Sequence, residues 1–205
     1  MNADSSVATW QAELAVDSRC TLGEGPQWDA VNKRLYWCDI LEKRLHWLSP
    51  ASGESGFYQL DHMVSLATPL EDGGLLLVGE DRLCRFDPTS GNVEAFCDFE
   101  TDNPVTRSND ARVDRHGSLW LSTMGKHAEQ GAGSLYRLHR GKLTPLRTGL
   151  TIPNAICFSA DGHFAWFTDT VTGVVMRWAL DSEGWPEGEP HPWADFSSTL
   201  GNPDG

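Results

Sequence analysis

Four side chains that carry oxygen donors stand at corresponding places along the chain: Glu24 in LGEGP, Asn109 in RSND, Asn154 in IPNA and Asp204 in NPDG. The first three each precede a tight-turn residue (Asn32, Gly117, Gly162) by eight positions. Glu24, Asn154 and Asp204 together offer only oxygen, two of them as carboxylates, a set that favours Ca²⁺, Mg²⁺ or Mn²⁺ and tolerates Zn²⁺ through its carboxylates. Beside Gly and Pro, such residues also form turns and caps, and each taken singly has that reading. Recurrence at one phase of a repeat favours a shared site, because equivalent positions fall at equivalent places in the architecture. Arg107, Asn109 and Asp110 form a second polar group. A fixed fork of donors beside an amide suits hydroxyl-rich or carboxylated ligands. The same residues could instead hold their own loop together, with Asp110 bonded to backbone. Both readings stay open on the residues alone.

The elements that position these residues repeat as well. DAVNK precedes RLYWCDI, EDG precedes GLLLVGE, DRHG precedes SLWLSTM, and ADG precedes HFAWFTD. Their spacing of roughly 41 to 45 residues matches the period of four-stranded propeller blades. Each of these runs leads to an alternating segment (RLHWLSP, RLCRFDP, SLYRLHR, VVMRWAL) with the period of a half-buried strand. Gly, Asp, Asn and Pro turns separate the runs, and helical periodicity is nearly absent. The reading is all-β, with blades opening near Glu24, Ser65, Asn109 and Asn154 and a fifth starting at Asp204. Residues 8–17 are expected to form a further strand that completes a last blade outside the chain, and residues 1–205 are expected to be a single propeller domain. The tryptophans at strand positions (Trp37, Trp47, Trp120, Trp166, Trp178) are expected to pack between blades.

Bulk properties narrow the function. A net charge of −13, with no basic run, argues against nucleic acid and anionic membrane surfaces as partners. The five cysteines are scattered, so disulfides and a structural zinc find little support, and Cys38, Cys84 and Cys157 lie in apolar runs as small hydrophobes. The seven histidines show no HExxH or HxxxH spacing, and there is no GxSxG elbow for acyl transfer. MNADSSVATWQ has no basic-then-apolar leader, so a cytoplasmic location is expected. Nothing in the pattern sets an oligomeric state.

LGEGPQWD with LYWCDI, RSNDARVDRHGSLWLSTM, GLTIPNAICFSADG with TDT, and GNPDG together resemble the gluconolactonase and regucalcin (senescence marker protein) family of six-bladed β-propellers. The resemblance spans residues 22–205. It implies about four blades and the start of a fifth, with two blades, on the order of 90 residues, lying beyond. It further implies one divalent metal (Ca, Zn, Mn or Mg) held by Glu24, Asn154 and Asp204. Arg107 and Asn109 would contact a small-molecule sugar lactone, and Asp204 would be the catalytic base for its hydrolysis. Departures are Ala155, where Gly often follows IPN, and Ser122, where Gly commonly precedes Thr-Met. Without its last two blades the chain is expected to fold poorly and act weakly. The alternatives are a non-enzymatic calcium- or ligand-binding propeller and an inactive truncated remnant. LYWCD and WFTD resemble the YWTD repeats of receptor propellers, which would bring a signal peptide and paired cysteines.

Overall fold

A computed structural model describes residues 10–198 and 201–204, which form four antiparallel four-stranded sheets. The first blade is β1 (Gly23–Asp29), β2 (Arg34–Asp39), β3 (Arg44–Ser49) and β4 (Glu54–Gln59). The second is β5 (Val64–Pro69), β6 (Leu75–Gly79), β7 (Arg82–Phe86) and β8 (Val93–Asp98). The third is β9 (Thr106–Val113), β10 (Leu119–Gly125), β11 (Gly133–His139) and β12 (Lys142–Leu150). The fourth is β13 (Pro153–Phe158), β14 (Phe164–Asp169), β15 (Val174–Leu180) and β16 (Pro186–Asp195). Each sheet is a meander in chain order, and the sequence repeats map onto these strands one for one. The innermost strands β1, β5, β9 and β13 lie beside one another in succession.

Period-two alternation assigns each face of a blade to a different neighbour. Tyr36, Cys38 and Leu45 meet Leu75, Leu77 and Phe86 between the first and second blades. Leu76, Val78 and Leu83, the alternate residues of β6 and β7, meet Leu119 and Leu121 of the third. Trp120, Leu135 and Leu150 meet Ile156, Phe167 and Trp178 of the fourth. β6 is buried on both faces, and each of its leucines contributes about 1.5–3 kcal/mol by leaving water. The expected aromatic packing holds for Trp47, Trp120 and Trp178. Trp37 instead stacks on His46, and Trp166 meets Trp193 edge-on.

Asp39 and Asp169 close β2 and β14 in the same way. Asp39 accepts the backbone N–H groups of Thr21 (2.8 Å) and Leu22 (3.1 Å), and Asp169 accepts those of Thr151 and Ile152, both at 2.9 Å. The aspartates of LYWCD and WFTD therefore dock the chain as it enters each inner strand. A buried ion pair links the third and fourth blades: Arg137 Nη2 donates to Asp114 Oδ2 (2.9 Å), to Ser118 Oγ (3.0 Å) and to the carbonyl of Glu183 (2.8 Å). Its guanidinium lies 4.4 Å from the centre of the Trp185 ring.

The strand expected over 8–17 is not formed across residues 10–17, and residues 8 and 9 lie outside the described part. This segment is irregular, with Trp10 and Leu14 exposed, and it joins none of the four sheets. A strand exists only against a partner edge, and no described sheet provides one here. Among the described residues all five cysteines are free, and Cys38 and Cys84 are buried as expected. Cys157 is exposed, which corrects its reading as a core residue. Ile156 and Phe158 take the face turned toward the third blade, so alternation sends Cys157 the other way. No helix among the described residues is long and apolar enough to cross a membrane.

Candidate functional site

Each inner strand breaks register at the same phase. Residues 25 and 26 oppose a single residue of β2, Ser65 is the extra residue of β5, Asn109 and Asp110 face Ser122, and residues 155 and 156 face one residue of β14. A bulge of this kind bends the strand and re-aims its side chains. Here the bulges gather Glu24, Ser65, Asn109, Asp110 and Asn154 around one cavity of about 410 Å³. Gly25 and Ala155 occupy the matching left-handed positions, at φ 59° and 57°. Gly25 is required twice over, because a Cβ there would collide with the carbonyl oxygen of Ser65.

Asn154 is buried and its Nδ2 donates to Asp204 Oδ1. The segment carrying Asp204 is anchored by Thr170 Oγ1, which donates to the carbonyl of Pro203 (3.0 Å). Asn109 lines the cavity and donates Nδ2 to the carbonyl of Pro153 (3.1 Å). Arg107 does not form part of the cavity wall; it is buried behind Asn109, with Nη1 donating to Asn109 Oδ1 (3.1 Å) and to the carbonyl of Ser108 (2.7 Å). Asp110 Oδ2 accepts the backbone N–H of Ile156 (2.7 Å), so one of its oxygens fastens the bulge of the fourth blade to that of the third. Arg107 and Asp110 thus both bond within or between the bulges, while Asn109 and Asp110 line the cavity.

Carboxylates crowd this cavity. Burial first, and then the charges of Asp204 and Asp110, push the Glu24 carboxyl above its ordinary value, against the Gly25 N–H and Arg107. Burial likewise raises Asp110, with Asp204 adding to it, while the Ile156 N–H and Arg112 oppose. Burial lowers the Arg107 guanidinium, and Glu24 works against that fall. The site thus holds negative charge at a cost that a cation would relieve.

The pattern of the SMP-30/gluconolactonase/LRE-like region matches residues 22–205. The chain belongs to the SMP-30/gluconolactonase/LRE-like family. It is 34% identical over 192 residues to a pentonolactonase of Haloferax volcanii, covering 93% of this chain and 64% of that one. It is 33% identical over 205 residues to an L-arabinolactonase of Azospirillum brasilense, covering 95% of this chain and 66% of the relative. The solved structure of a calcium-binding protein, regucalcin, from Agrobacterium tumefaciens superposes with a TM-score of 0.87 at 38% identity, over 89% of this chain and 62% of that one. This member spans less than two thirds of the length of each of these three relatives. Its four sheets are blades of a regucalcin-like β-propeller.

Two departures of this SMP-30/gluconolactonase/LRE-like chain acquire a structural meaning. Ser122 accepts the Asp110 N–H (3.0 Å) and donates to the carbonyl of Pro153 (3.0 Å), so its hydroxyl joins the two bulges. Ala155 carries a Cβ where the backbone is left-handed. Ala155→Gly is expected to raise stability by about 0.5–1 kcal/mol, as relief of that strain exceeds the entropy gained by the unfolded chain. Urea unfolding of the two proteins measures the difference. Ser65, which the sequence marks only as a blade opener, also lines the cavity, and among the described residues its hydroxyl is buried without a hydrogen-bond partner. Its place at the blade-opening phase was the available signal.

Proposed function

We propose that this chain carries the metal- and substrate-binding part of a sugar lactonase. The observation that supports it most is the meeting of side chains from separate blades at one cavity: Glu24 from the first, Asn154 from the fourth, and Asp204 in contact with Asn154. Two carboxylates and a neutral amide fit a hard divalent cation, and the crowding of negative charge around Glu24 is what such an ion would offset. Glu24, Asn154 and Asp204 would hold it, with calcium, magnesium or manganese suiting the donors better than zinc. The named activities of the pentonolactonase and arabinolactonase relatives support a sugar lactone as substrate.

When bound, the cation supplies Lewis acidity for the lactone carbonyl and lowers the pKa of the attacking water. Asp204 keeps Oδ2 available while Oδ1 is engaged by Asn154, so Oδ2 is the atom that takes the water's proton. As the new C–O bond forms, the ring C–O bond breaks, and the freed ring oxygen takes the proton that Asp204 accepted from water, leaving a hydroxy acid. Asn109 has one amide proton and one oxygen lone pair left for the sugar hydroxyls after bonding Pro153 and Arg107. Arg107 acts through Asn109 by locking its amide in one orientation, which holds the substrate in position.

The deciding experiment incubates the intact protein, stripped by chelation and then given Ca²⁺, Mg²⁺, Mn²⁺ or Zn²⁺, with a panel of aldonolactones. Acid release above the spontaneous rate supports the lactonase. Metal binding without turnover on any lactone would favour a binding propeller instead. A thermal measurement checks the ligand set separately. Calcium at about 100 times its Kd should add about 2.7 kcal/mol of stability to the wild type and almost nothing to Glu24→Gln. In chelator the order should reverse, because Glu24→Gln removes the carboxylate that Asp204 and Asp110 repel.

A further inference from the structure

A second cluster lies on the face of the first blade turned away from the second, since Tyr36, Cys38 and Leu45 take the opposite face. Cys20 Sγ, a carboxylate oxygen of Asp39 and a ring nitrogen of His46 all lie within 4.8 Å of one another. Asp39 and His46 are buried and Cys20 is half-buried. Asp39 is already fixed by the N–H groups of Thr21 and Leu22, the kind of outer bonding that orients a metal-binding carboxylate. His46 is held face to face against Trp37, with ring centres 5.2 Å apart.

One observation separates this cluster from an ordinary polar patch. His46 is only 6% exposed, and among the described residues its Nε2 is buried without a hydrogen-bond partner. A buried imidazole nitrogen normally finds a partner, and an imidazole left without one beside a thiol and a carboxylate has the make-up of a ligand.

We infer that Cys20, Asp39 and His46 form a second metal site, distinct from the oxygen-only centre, for a borderline divalent ion such as Zn²⁺. Sulfur, nitrogen and oxygen donors together select zinc over calcium or magnesium, and three protein ligands leave a fourth tetrahedral position for water. On binding, the Cys20 S–H bond breaks, its proton passes to solvent and a metal–sulfur bond forms. The site would join the segment ahead of β1 to β2 and β3.

Cobalt(II) tests this, because thiolate ligation produces a near-ultraviolet charge-transfer band to which an all-oxygen centre cannot contribute. Titrated into the intact, chelator-treated protein, Co²⁺ should develop that band and Zn²⁺ should bleach it. Cys20→Ser should abolish it, and His46→Gln should weaken Co²⁺ binding by more than about 10-fold. Glu24→Gln should keep it. Circular dichroism of Cys20→Ser and His46→Gln identifies any variant that fails to fold; Cys20 lies outside the strands, so its exchange is the milder one. No band in the wild type, or a band unchanged in folded Cys20→Ser, overturns the proposal.

Discussion

Asp204→Asn should lower the turnover of a sugar lactone by about 10²–10⁴-fold, the range that a positioned proton acceptor contributes. Asparagine preserves the shape and can still meet the Asn154 amide, but it cannot take the proton from water. The split between parameters is informative: kcat should carry most of the loss, with KM changing less, because Arg107 and Asn109 still position the sugar. Glu24→Gln should lower activity through metal affinity alone, so saturating Ca²⁺ should recover much of its turnover, whereas Asp204→Asn, which loses a metal ligand and the proton acceptor together, should stay depressed at saturating Ca²⁺. Steady-state kinetics across a metal titration checks both. Wild-type turnover in Asp204→Asn would remove Asp204 from the role of base.

Arg137→Met should lower stability by about 3–5 kcal/mol, because it leaves the buried Asp114 carboxylate without its cation. The side chains are 0% and 2% exposed, so water cannot take the place of the missing partner. Asp114→Leu should cost at least as much, since Asp114 also accepts the N–H groups of His116 and Ser118, both at 2.9 Å. Combined, the two changes should cost clearly less than their sum, as the second removes the unpaired charge created by the first. Urea unfolding of the two single variants and the double variant completes the cycle, and strict additivity would show that the pair is not coupled. The contact to the Glu183 carbonyl makes this a link between blades, so Arg137→Met should also loosen the β15 to β16 connection in hydrogen exchange.

Much of the fold was legible because its causes are local. A left-handed glycine or an Asx-bonded aspartate makes each turn, as Asp29 does for Val31 and Asn32 and as Asp114 does for His116 and Ser118. Alternation then follows from the pleat. The polar positions at the head of each inner strand were legible too, since a repeat places equal phases at equal radii. Their individual aims were not. Arg107, in the RSND run, reads as a substrate contact, yet it is turned back onto Asn109. Asp110 bonds a backbone N–H 46 residues away, which no local pattern announces.

The sequence by itself determined the four-stranded period and set Glu24, Asn109 and Asn154 near the head of successive inner strands, although Asn109 falls within its bulge while Glu24 and Asn154 stand just before theirs. Only the tertiary structure decided that bulges swing these side chains into a common cavity, that Cys157 leaves the core, and that Cys20, Asp39 and His46 come together. The physical reason is range. Turn chemistry and strand alternation are settled within a few residues, whereas the direction of a bulged side chain depends on the neighbouring blade whose backbone N–H or carbonyl it meets.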